Sequence, residues 1–340
     1  MPTISVTVIC KNEQENLKRL FPCLGFADEV VFVDTGSTDD SVETAASFGA
    51  KIYAFEWCDD FAKARNFAIS KAGCDYVMWV DCDDILSTRT QNLITEWKKN
   101  PAHSCADFYY MKYVVGDKFK TAFWRERLVR NCDKCRFVGF IHEVIPPFGQ
   151  KRTFDGEVIH VSNADHSARN LAIYRKAQTK GKRFSARDKY YFARTLYDCG
   201  LCDEAMAQFD CASRCRSLSL TEVVDCKMHI AKIRLNLGEN RRALDVALSA
   251  VRLLPPSPEV CCVVGDCFRQ CQQMTTAAGW YLLATRAEYS GGFAPPQQCH
   301  CKAPLRYYGQ FGTVGVIRRL TVVTEKRKNF RKAHVRIVTA

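Results

Sequence analysis

The residues with the clearest chemical potential follow the apolar run Tyr76–Val80, where the sequence continues Asp81-Cys82-Asp83-Asp84. Three carboxylates this close repel one another, so a folded protein tolerates them best where a cation, basic side chains or solvent offset their charge. Oxygen ligands suit Mg²⁺ or Mn²⁺, which share their coordination shell with waters and with the phosphates of a substrate. The cluster therefore predicts a site for a metal ion and a diphosphate; the alternative is a solvated acidic turn.

The apolar run before these carboxylates belongs to an alternation of strand-like and helix-like segments in the first hundred residues. The strand-like runs are Ile4–Ile9, Glu29–Val33, Lys51–Phe55 and Tyr76–Val80, and the helix-like runs are Glu13–Leu24, Asp40–Phe48, Phe61–Ala72 and Thr90–Lys99. Such alternation predicts an α/β domain whose parallel sheet is covered by helices. The acidic cluster then lies at the carboxyl end of a buried strand, where such sheets bind their ligands.

Three further strand-like runs, Phe108–Val115, Phe123–Val129 and Phe137–Ile145, follow too closely for helical crossovers between them. They predict a mixed or antiparallel edge added to the parallel sheet. We expect this α/β domain to occupy residues 1–165.

The second half of the chain is helix-like and carries a degenerate internal repeat. Gly200 and Ala205 recur thirty-eight residues later as Gly238 and Ala243, and Ala278 lies thirty-five residues further on. Small residues at such a period predict stacked helix pairs over residues 166–290, with a plain helical bundle as the alternative.

Charge is distributed unevenly along the 340 residues, whose formal net charge is +12. Residues 1–165 contain 20 Lys and Arg against 24 Asp and Glu, whereas residues 166–340 contain 29 against 13. The basic residues are densest in a C-terminal segment, 291–340, which includes Lys326-Arg327-Lys328. This segment suits an anionic partner such as nucleic acid or a membrane surface; the alternative is a solvated tail.

No apolar stretch approaches the roughly 20 residues that a membrane-spanning helix needs, and the N-terminus enters a strand-like run without the pattern of an export signal. The nineteen cysteines are scattered, so we expect mostly reduced, buried thiols and a cytoplasmic location. Two spacings, Cys132-x-x-Cys135 and Cys299-His300-Cys301, are compatible with a zinc site, although chance pairs are expected in so cysteine-rich a chain.

Four motifs, in the same order and spacing, resemble glycosyltransferase family 2, whose members have the GT-A fold, a Rossmann-like mixed sheet. They read Val8-Ile9-Cys10-Lys11-Asn12-Glu13, Val33-Asp34-Thr35-Gly36-Ser37-Thr38-Asp39, Asp59-Asp60-Phe61-Ala62-Lys63-Ala64-Arg65-Asn66 and Asp81-Cys82-Asp83-Asp84. The resemblance covers roughly residues 3–165. A GT-A domain followed by an all-α domain of tetratricopeptide-like helices is similar to a bacterial and phage subgroup that includes S-glycosyltransferases of glycopeptide bacteriocins.

The resemblance implies transfer of a sugar, such as a hexose, from a nucleotide diphosphate sugar, usually UDP-linked, with Mn²⁺ or Mg²⁺ as cofactor. It places the metal ion on Asp83, with Asp81 and His160 completing the set, and Asp84 on either the ion or a hydroxyl of the donor. The residues that it assigns to the nucleotide sugar are Cys10, Lys11, Asn12, Glu13, Asp34, Thr35, Gly36, Ser37, Arg65, Asn66, Asp81, Cys82 and Asp84. Many relatives have a second acid where this chain has Thr35, which leaves uracil specificity open.

Family 2 enzymes invert the anomeric centre, which requires a base opposite the leaving group. Glu143 is the expected base and His142 the next candidate; in a strand the two would point to opposite faces. The implied acceptor is a peptide or protein, a glycan, or a modified base in nucleic acid. Two other functions compete with this one: a GT-A-like binding scaffold that has lost turnover and acts through its helices, and, more distantly, a nucleotidyltransferase.

Overall fold

The computed structural model describes residues 1–100, 106–115, 121–161 and 165–286. Contacts divide the chain into two compact units between Asp165 and His166. Within the described residues, no helix combines the length and the apolar character that crossing a bilayer requires. The basic segment 291–340 and the Cys299–Cys301 pair lie outside the described residues.

A single mixed sheet of eight strands forms the first unit. The strands are β1 (Ile4–Cys10), β2 (Glu29–Asp34), β3 (Lys51–Ala54), β4 (Tyr76–Val80), β5 (Asp84–Leu86), β6 (Phe108–Val115), β7 (Thr121–Arg130) and β8 (Lys151–His160). Their order is β3-β2-β1-β4-β7-β6-β8-β5. The first four strands in that order are parallel, and β7 joins β4 antiparallel. The predicted parallel sheet with a mixed edge is confirmed.

Three helices lie between the parallel strands in the chain, and a fourth follows β5 and packs against β8. They are α1 (Gln14–Leu20), α2 (Ser41–Ser47), α3 (Phe61–Lys71) and α4 (Thr88–Lys99). The first is shorter than expected, because Pro22 lacks the N–H that would continue the helix and the chain passes into a 3₁₀ turn, Phe21–Cys23. Asp60 caps α3 by accepting a hydrogen bond from the Lys63 amide at 3.1 Å.

One predicted strand, Phe137–Ile145, is wrong. Only an isolated bridge between Val138 and Val144 pairs there. Between the two valines, Gly139 has φ +92° and His142 has φ +53°, so the chain turns in the left-handed region instead of extending. The further strand of the mixed edge is instead β8, which ends at His160. His142 and Glu143 therefore do not occupy alternate faces of a strand.

Helices alone make up the described part of the second unit, as predicted. They are α5 (Ser167–Thr179), α6 (Ala186–Asp198), α7 (Cys202–Ser213), α8 (Leu220–Asn236), α9 (Asn240–Val251), α10 (Pro258–Gln270) and α11 (Met274–Ala284). The pairs α6–α7, α8–α9 and α10–α11 pack closely. The fourth residue of each second helix is a buried alanine: Ala205, Ala243 and Ala277. The third member of the repeat is thus Ala277, not Ala278, because Ala277 is the residue that faces the neighbouring helix.

The turns inside the three helix pairs share one backbone conformation. Gly200 and Gly238 have φ +76° and +75°, and each stands two residues before the second helix of its pair. In the third pair Gln272 takes this place with φ +62°. A side chain makes this conformation unfavourable, so glutamine is strained at a position that suits glycine.

We expect the substitution Gln272→Gly to stabilise the helical unit by about 0.5 kcal/mol, because relief of left-handed strain exceeds the added entropy of the unfolded chain. The control is Gly238→Ala, where a Cβ would meet no atom within 4 Å and only the backbone effect remains. That control should lose about 1 kcal/mol. Thermal unfolding followed by circular dichroism measures both; a lower melting temperature for Gln272→Gly would contradict the strain.

Candidate active site

The acidic turn lies between β4 and β5, at the carboxyl end of the parallel strands. The Asp84 amide donates to the Asp81 carbonyl at 3.0 Å and closes the turn. Because β5 pairs antiparallel with β8, Asp84 lies directly opposite His160. The amide of Val161 also donates to the Asp83 carbonyl at 2.9 Å. This short ladder brings a histidine that is distant in sequence to the carboxylates.

Asp83, Asp84 and His160 form a group whose potential ligand atoms all lie within 4.8 Å of one another. His160 Nδ1 is 3.4 Å from Asp83 Oδ1 and 3.2 Å from Asp84 Oδ1. Carboxylate oxygen and imidazole nitrogen are suitable donors for Mn²⁺ and acceptable for Mg²⁺. In the part of the chain that the structure describes, no other His, Cys, Asp or Glu cluster of this kind occurs. The donor set therefore fits a divalent cation.

Asp83 and His160 both have a raised pKa, for different reasons. Burial, together with the charges of Asp81 and Asp84, raises the pKa of Asp83 to about 6. Burial alone would lower the pKa of His160, but its hydrogen bond to Asp84 and the charges of Asp83 and Asp84 raise it. Excess negative charge is thus concentrated at Asp83, where a bound cation would offset it.

Asp84 is fully buried and is held from several sides. Its Oδ2 lies 3.1 Å from Arg127 Nη1, and the same oxygen accepts the Asp81 amide at 3.0 Å. Its Oδ1 accepts the hydroxyl of Tyr113 at 3.1 Å. The predicted contact of Asp84 with the donor sugar remains a prediction, and these partners show that the side chain is engaged inside the protein.

Arg65 connects two carboxylates beneath the turn. Its Nη2 is 2.5 Å from Asp81 Oδ1, and its Nε is 2.6 Å from Glu143 Oε1. The guanidinium carbon lies 4.7 Å from the centre of the Trp79 ring. Burial opposes ionisation of Asp81, but Arg65 and the charge of Arg127 outweigh it and hold the pKa of Asp81 below its ordinary range. Arg65 thus holds the acidic turn in place, and its predicted contact with the nucleotide sugar remains a prediction.

Helix α3 also fixes the segment Phe137–Ile145 that carries His142 and Glu143. The side-chain amide of Asn66 donates to the Phe137 carbonyl at 3.0 Å and accepts from the Phe137 amide at 2.8 Å. Glu143 is buried, whereas His142 is exposed. The side chain of Asn66 thus serves this segment, and its predicted contact with the nucleotide sugar remains untested.

Two loops beside the turn, after β1 and after β2, are tied together by hydrogen bonds. Asn12 Oδ1 accepts the Thr38 amide at 2.7 Å, and Ser37 Oγ accepts the Asn12 amide at 2.9 Å. The Asp34 carboxylate accepts the amides of Gly36 at 3.1 Å and Ser37 at 3.0 Å. The loops expected to hold the nucleoside therefore form one unit at the carboxyl edge of the sheet.

The remaining residues assigned to this pocket differ in exposure. Thr35 is buried, and its hydroxyl donates to the Cys10 carbonyl at 2.8 Å. Cys10 is also buried, and Cys82 donates to the Ile9 carbonyl at 3.4 Å. Lys11 is exposed, and Glu13 is partly buried. The structure thus brings the predicted residues to one edge, with Lys11 presented to solvent and Thr35 directed into the sheet.

The cysteines give no support to a zinc site in the described residues. Burial raises the pKa of Cys135 to about 12, which favours the neutral thiol over the thiolate that binds metals. No third ligand joins Cys132 and Cys135 among the residues that the structure describes. The sixteen cysteines of the described ranges are all free, as expected, but only six are buried, so the expectation that most would be buried is wrong.

Arg127 and Tyr113 are site residues that the sequence analysis missed. The pairing of β6 with β7 shifts between Tyr109↔Leu128 and Tyr110↔Glu126, which makes Arg127 the extra residue of a β-bulge. A signal was present in the sequence, because Arg125-Glu126-Arg127 places three consecutive charges inside an otherwise apolar strand. Such charges are retained in a buried strand only where partners are available.

The sequence is similar to that of known glycosyltransferases. The sequence model described as Glycosyl transferase family 2 matches residues 5–173. An uncharacterized glycosyltransferase of Rickettsia bellii is 35% identical over 202 residues, covering 57% of this chain and 67% of the relative. A TPR repeat-containing protein of Synechococcus elongatus is 38% identical over 90 residues, covering 25% of this chain and 22% of the relative.

The chain spans only 22% of that cyanobacterial protein and 32% of a related protein from Rickettsia typhi. Among solved structures, a glucosyl-3-phosphoglycerate synthase from Mycobacterium tuberculosis in complex with Mn²⁺ and UDP-glucose is 23% identical with a TM-score of 0.27. That similarity covers 33% of this chain and 44% of the synthase.

We expect Arg65→Met to destabilise the first unit by about 3 kcal/mol, because it leaves the carboxylates of Asp81 and Glu143 without their buried partner. Adding Glu143→Gln should recover part of the loss by removing one of the two charges. Arg125→Met is the matched control, since Arg125 lies over the same Trp79 ring but contacts Glu126 instead. Thermal unfolding measures the series, and equal stabilities for the two Met variants would exclude a structural role for the Arg65 pairs.

Proposed function

The chain belongs to glycosyltransferase family 2, and we propose that it transfers a sugar from a nucleotide diphosphate sugar to an acceptor with inversion at the anomeric carbon. The observation that carries this proposal is the group of Asp83, Asp84 and His160 at the carboxyl end of β4. A scaffold that had lost turnover would have no use for such a concentration of charge, which costs stability unless a ligand offsets it.

We propose Mn²⁺ or Mg²⁺ as the cofactor, held by Asp83 and His160 with Asp81 close by. When bound, the ion would neutralise the charge that develops on the departing diphosphate. The protein contributes the orientation of these side chains, because the β5–β8 ladder fixes the backbone on both sides of the group.

The two connected loops after β1 and β2 are the proposed nucleoside pocket. Asp34 and Asn12 hold the loop backbones in place, and Lys11 at the exposed edge supplies a positive charge suited to phosphate. A UDP-linked donor is the proposal that the family favours. The buried hydroxyl of Thr35 points toward β1, so recognition of a base would fall to other groups of these loops.

Glu143 is the proposed base that accepts the acceptor's proton. Its contact with Arg65 supports this role, because the guanidinium fixes the position of the carboxylate that would accept the proton. Arg65 contacts the Oε1 atom of Glu143. His142, exposed on the same turn, is the alternative base.

The helical unit is the proposed acceptor-recognition module, for a peptide, a protein or a glycan. Stacked helix pairs commonly offer extended binding surfaces. A nucleic acid acceptor rests chiefly on the basic residues of 291–340, outside the described ranges, and nothing in the described residues supports it.

A thermal-shift screen of nucleotide sugars with and without Mn²⁺ tests the proposed function. A donor that binds the native state should raise the melting temperature, and more so with the metal.

Asp83→Ala should abolish the metal-dependent part of this shift and lower sugar transfer about 100-fold or more, since charge stabilisation at the leaving group is lost. Its own melting temperature should stay near that of the wild type because carboxylate repulsion is relieved. Asp133→Ala, at an exposed position, is the control; unchanged turnover by Asp83→Ala would refute the metal assignment.

Glu143→Gln should lower transfer by about 10²- to 10⁴-fold, because the amide keeps the shape but cannot take a proton. Donor binding, measured by the same thermal shift, should be retained. His142→Gln on the neighbouring residue is the matched comparison. Transfer that survives in Glu143→Gln and is lost in His142→Gln would move the base to the histidine.

A further inference from the structure

We propose that Arg127 is a positioning residue for the metal site and acts through Asp84, which orients His160. The chain of contacts runs from the bulge in β7, through the fully buried carboxylate, to the imidazole ring. The identity of the ion rests on the proposed function. The contacts from Arg127 to Asp84 and from Asp84 to His160 rest on the geometry alone.

Arg127 is fixed more firmly than a surface arginine. Its side chain is fully buried, and its guanidinium carbon lies 3.7 Å from the centre of the Trp79 ring and 4.3 Å from that of Tyr113. Nη1 donates to the Trp79 carbonyl at 3.0 Å and lies 3.1 Å from Asp84 Oδ2. A charge buried between two rings requires a buried counter-ion, and Asp84 supplies it.

The four partners of Asp84 are divided between its two oxygens. Oδ2 receives Arg127 and the Asp81 amide, and Oδ1 receives the Tyr113 hydroxyl and lies 3.2 Å from His160 Nδ1. A carboxylate offers about four lone-pair positions. These contacts occupy them all, so Asp84 is placed behind the histidine and not in direct contact with the ion.

The consequence for His160 is a defined ring orientation. A carboxylate that accepts from Nδ1 favours the tautomer with the proton on that nitrogen, which leaves the lone pair of Nε2 for a metal. Asp83 and His160 are then the direct ligands of this group. Arg127 holds the Asp84 carboxylate in place, and the bulge is the backbone feature that brings Arg127 beneath the turn.

The test measures Mn²⁺ affinity without any sugar donor, by electron paramagnetic resonance of free Mn²⁺ during titration. Arg127→Met and Asp84→Asn should each weaken binding about 10- to 100-fold, the usual effect of losing a residue that orients a ligand. The double variant should be no weaker than the weaker single variant, because both changes interrupt one chain of contacts. Arg125→Met, two residues before Arg127 in the same strand, should bind Mn²⁺ as tightly as the wild type does. Wild-type affinity in Arg127→Met, or fully additive losses, would overturn the proposal.

Arg127→Lys serves if the Met variant does not fold. Lysine keeps the charge but lacks the planar guanidinium that lies over the Trp79 and Tyr113 rings, so its ammonium is less firmly placed beside Asp84 and a partial loss of Mn²⁺ affinity is expected. An affinity equal to that of the wild type would count against the proposal.

A second readout separates this inference from the proposed function. Nitrogen NMR of chains labelled in histidine reports the tautomer of His160 with neither metal nor sugar present. We expect the Nδ1-protonated form in the wild type and a shift of the equilibrium in Arg127→Met. If the wild type binds no Mn²⁺, the proposed function fails, while this shift still supports the contact chain. An unchanged tautomer overturns the chain even if transfer and metal binding are observed.

Discussion

Compensation of buried charge at the carboxyl end of β4 is the constraint on which the remaining site geometry depends. Asp81 and Glu143 are paired with Arg65, and Asp84 with Arg127, so three carboxylates are offset by two guanidiniums. Removing charges from water is costly, and only close geometry of this kind repays it. Asp83 faces His160 instead, and its pKa is raised to about 6 mainly by burial. The uncompensated negative charge therefore collects at the position where a cation would bind.

The two halves of the sheet contribute different components to this site. Parallel strands end in the acidic turn and in the two connected loops, as expected where an α/β sheet binds a ligand. The compensating groups come from elsewhere: Arg65 from α3, Arg127 from β7 and His160 from β8. The mixed edge of the sheet is therefore necessary to the site, because it carries a counter-charge and the proposed metal-binding nitrogen across to the carboxylates.

Local sequence patterns predicted the elements well, because a buried strand and its following turn are specified by neighbouring residues. The run Tyr76–Val80 is such a strand, and the order of helices and strands around it was read correctly. Phe137–Ile145 misled the prediction since its apolar residues favour a strand, whereas left-handed residues and contacts with α3 decide its shape. The role of Arg127 depends on a register shift between two strands, which no local pattern reports. The third repeat was placed at Ala278 instead of Ala277, because Gln272 holds the position that glycine marks in the other two pairs.

Arg65 gives the site a property that neither of its partners has alone. One rigid guanidinium contacts Asp81 in the acidic turn through Nη2 and Glu143, the proposed base, through Nε. Because the fork is planar and its two contacts are 2.5 and 2.6 Å long, a displacement of either carboxylate must move the other or break an ion pair. Arg65 thus couples two parts of the site mechanically. One is the acidic turn, proposed to hold the donor, and the other is Glu143, proposed to activate the acceptor. Such coupling holds reacting groups at a fixed separation, which is the main way a rigid scaffold lowers the entropic part of a barrier.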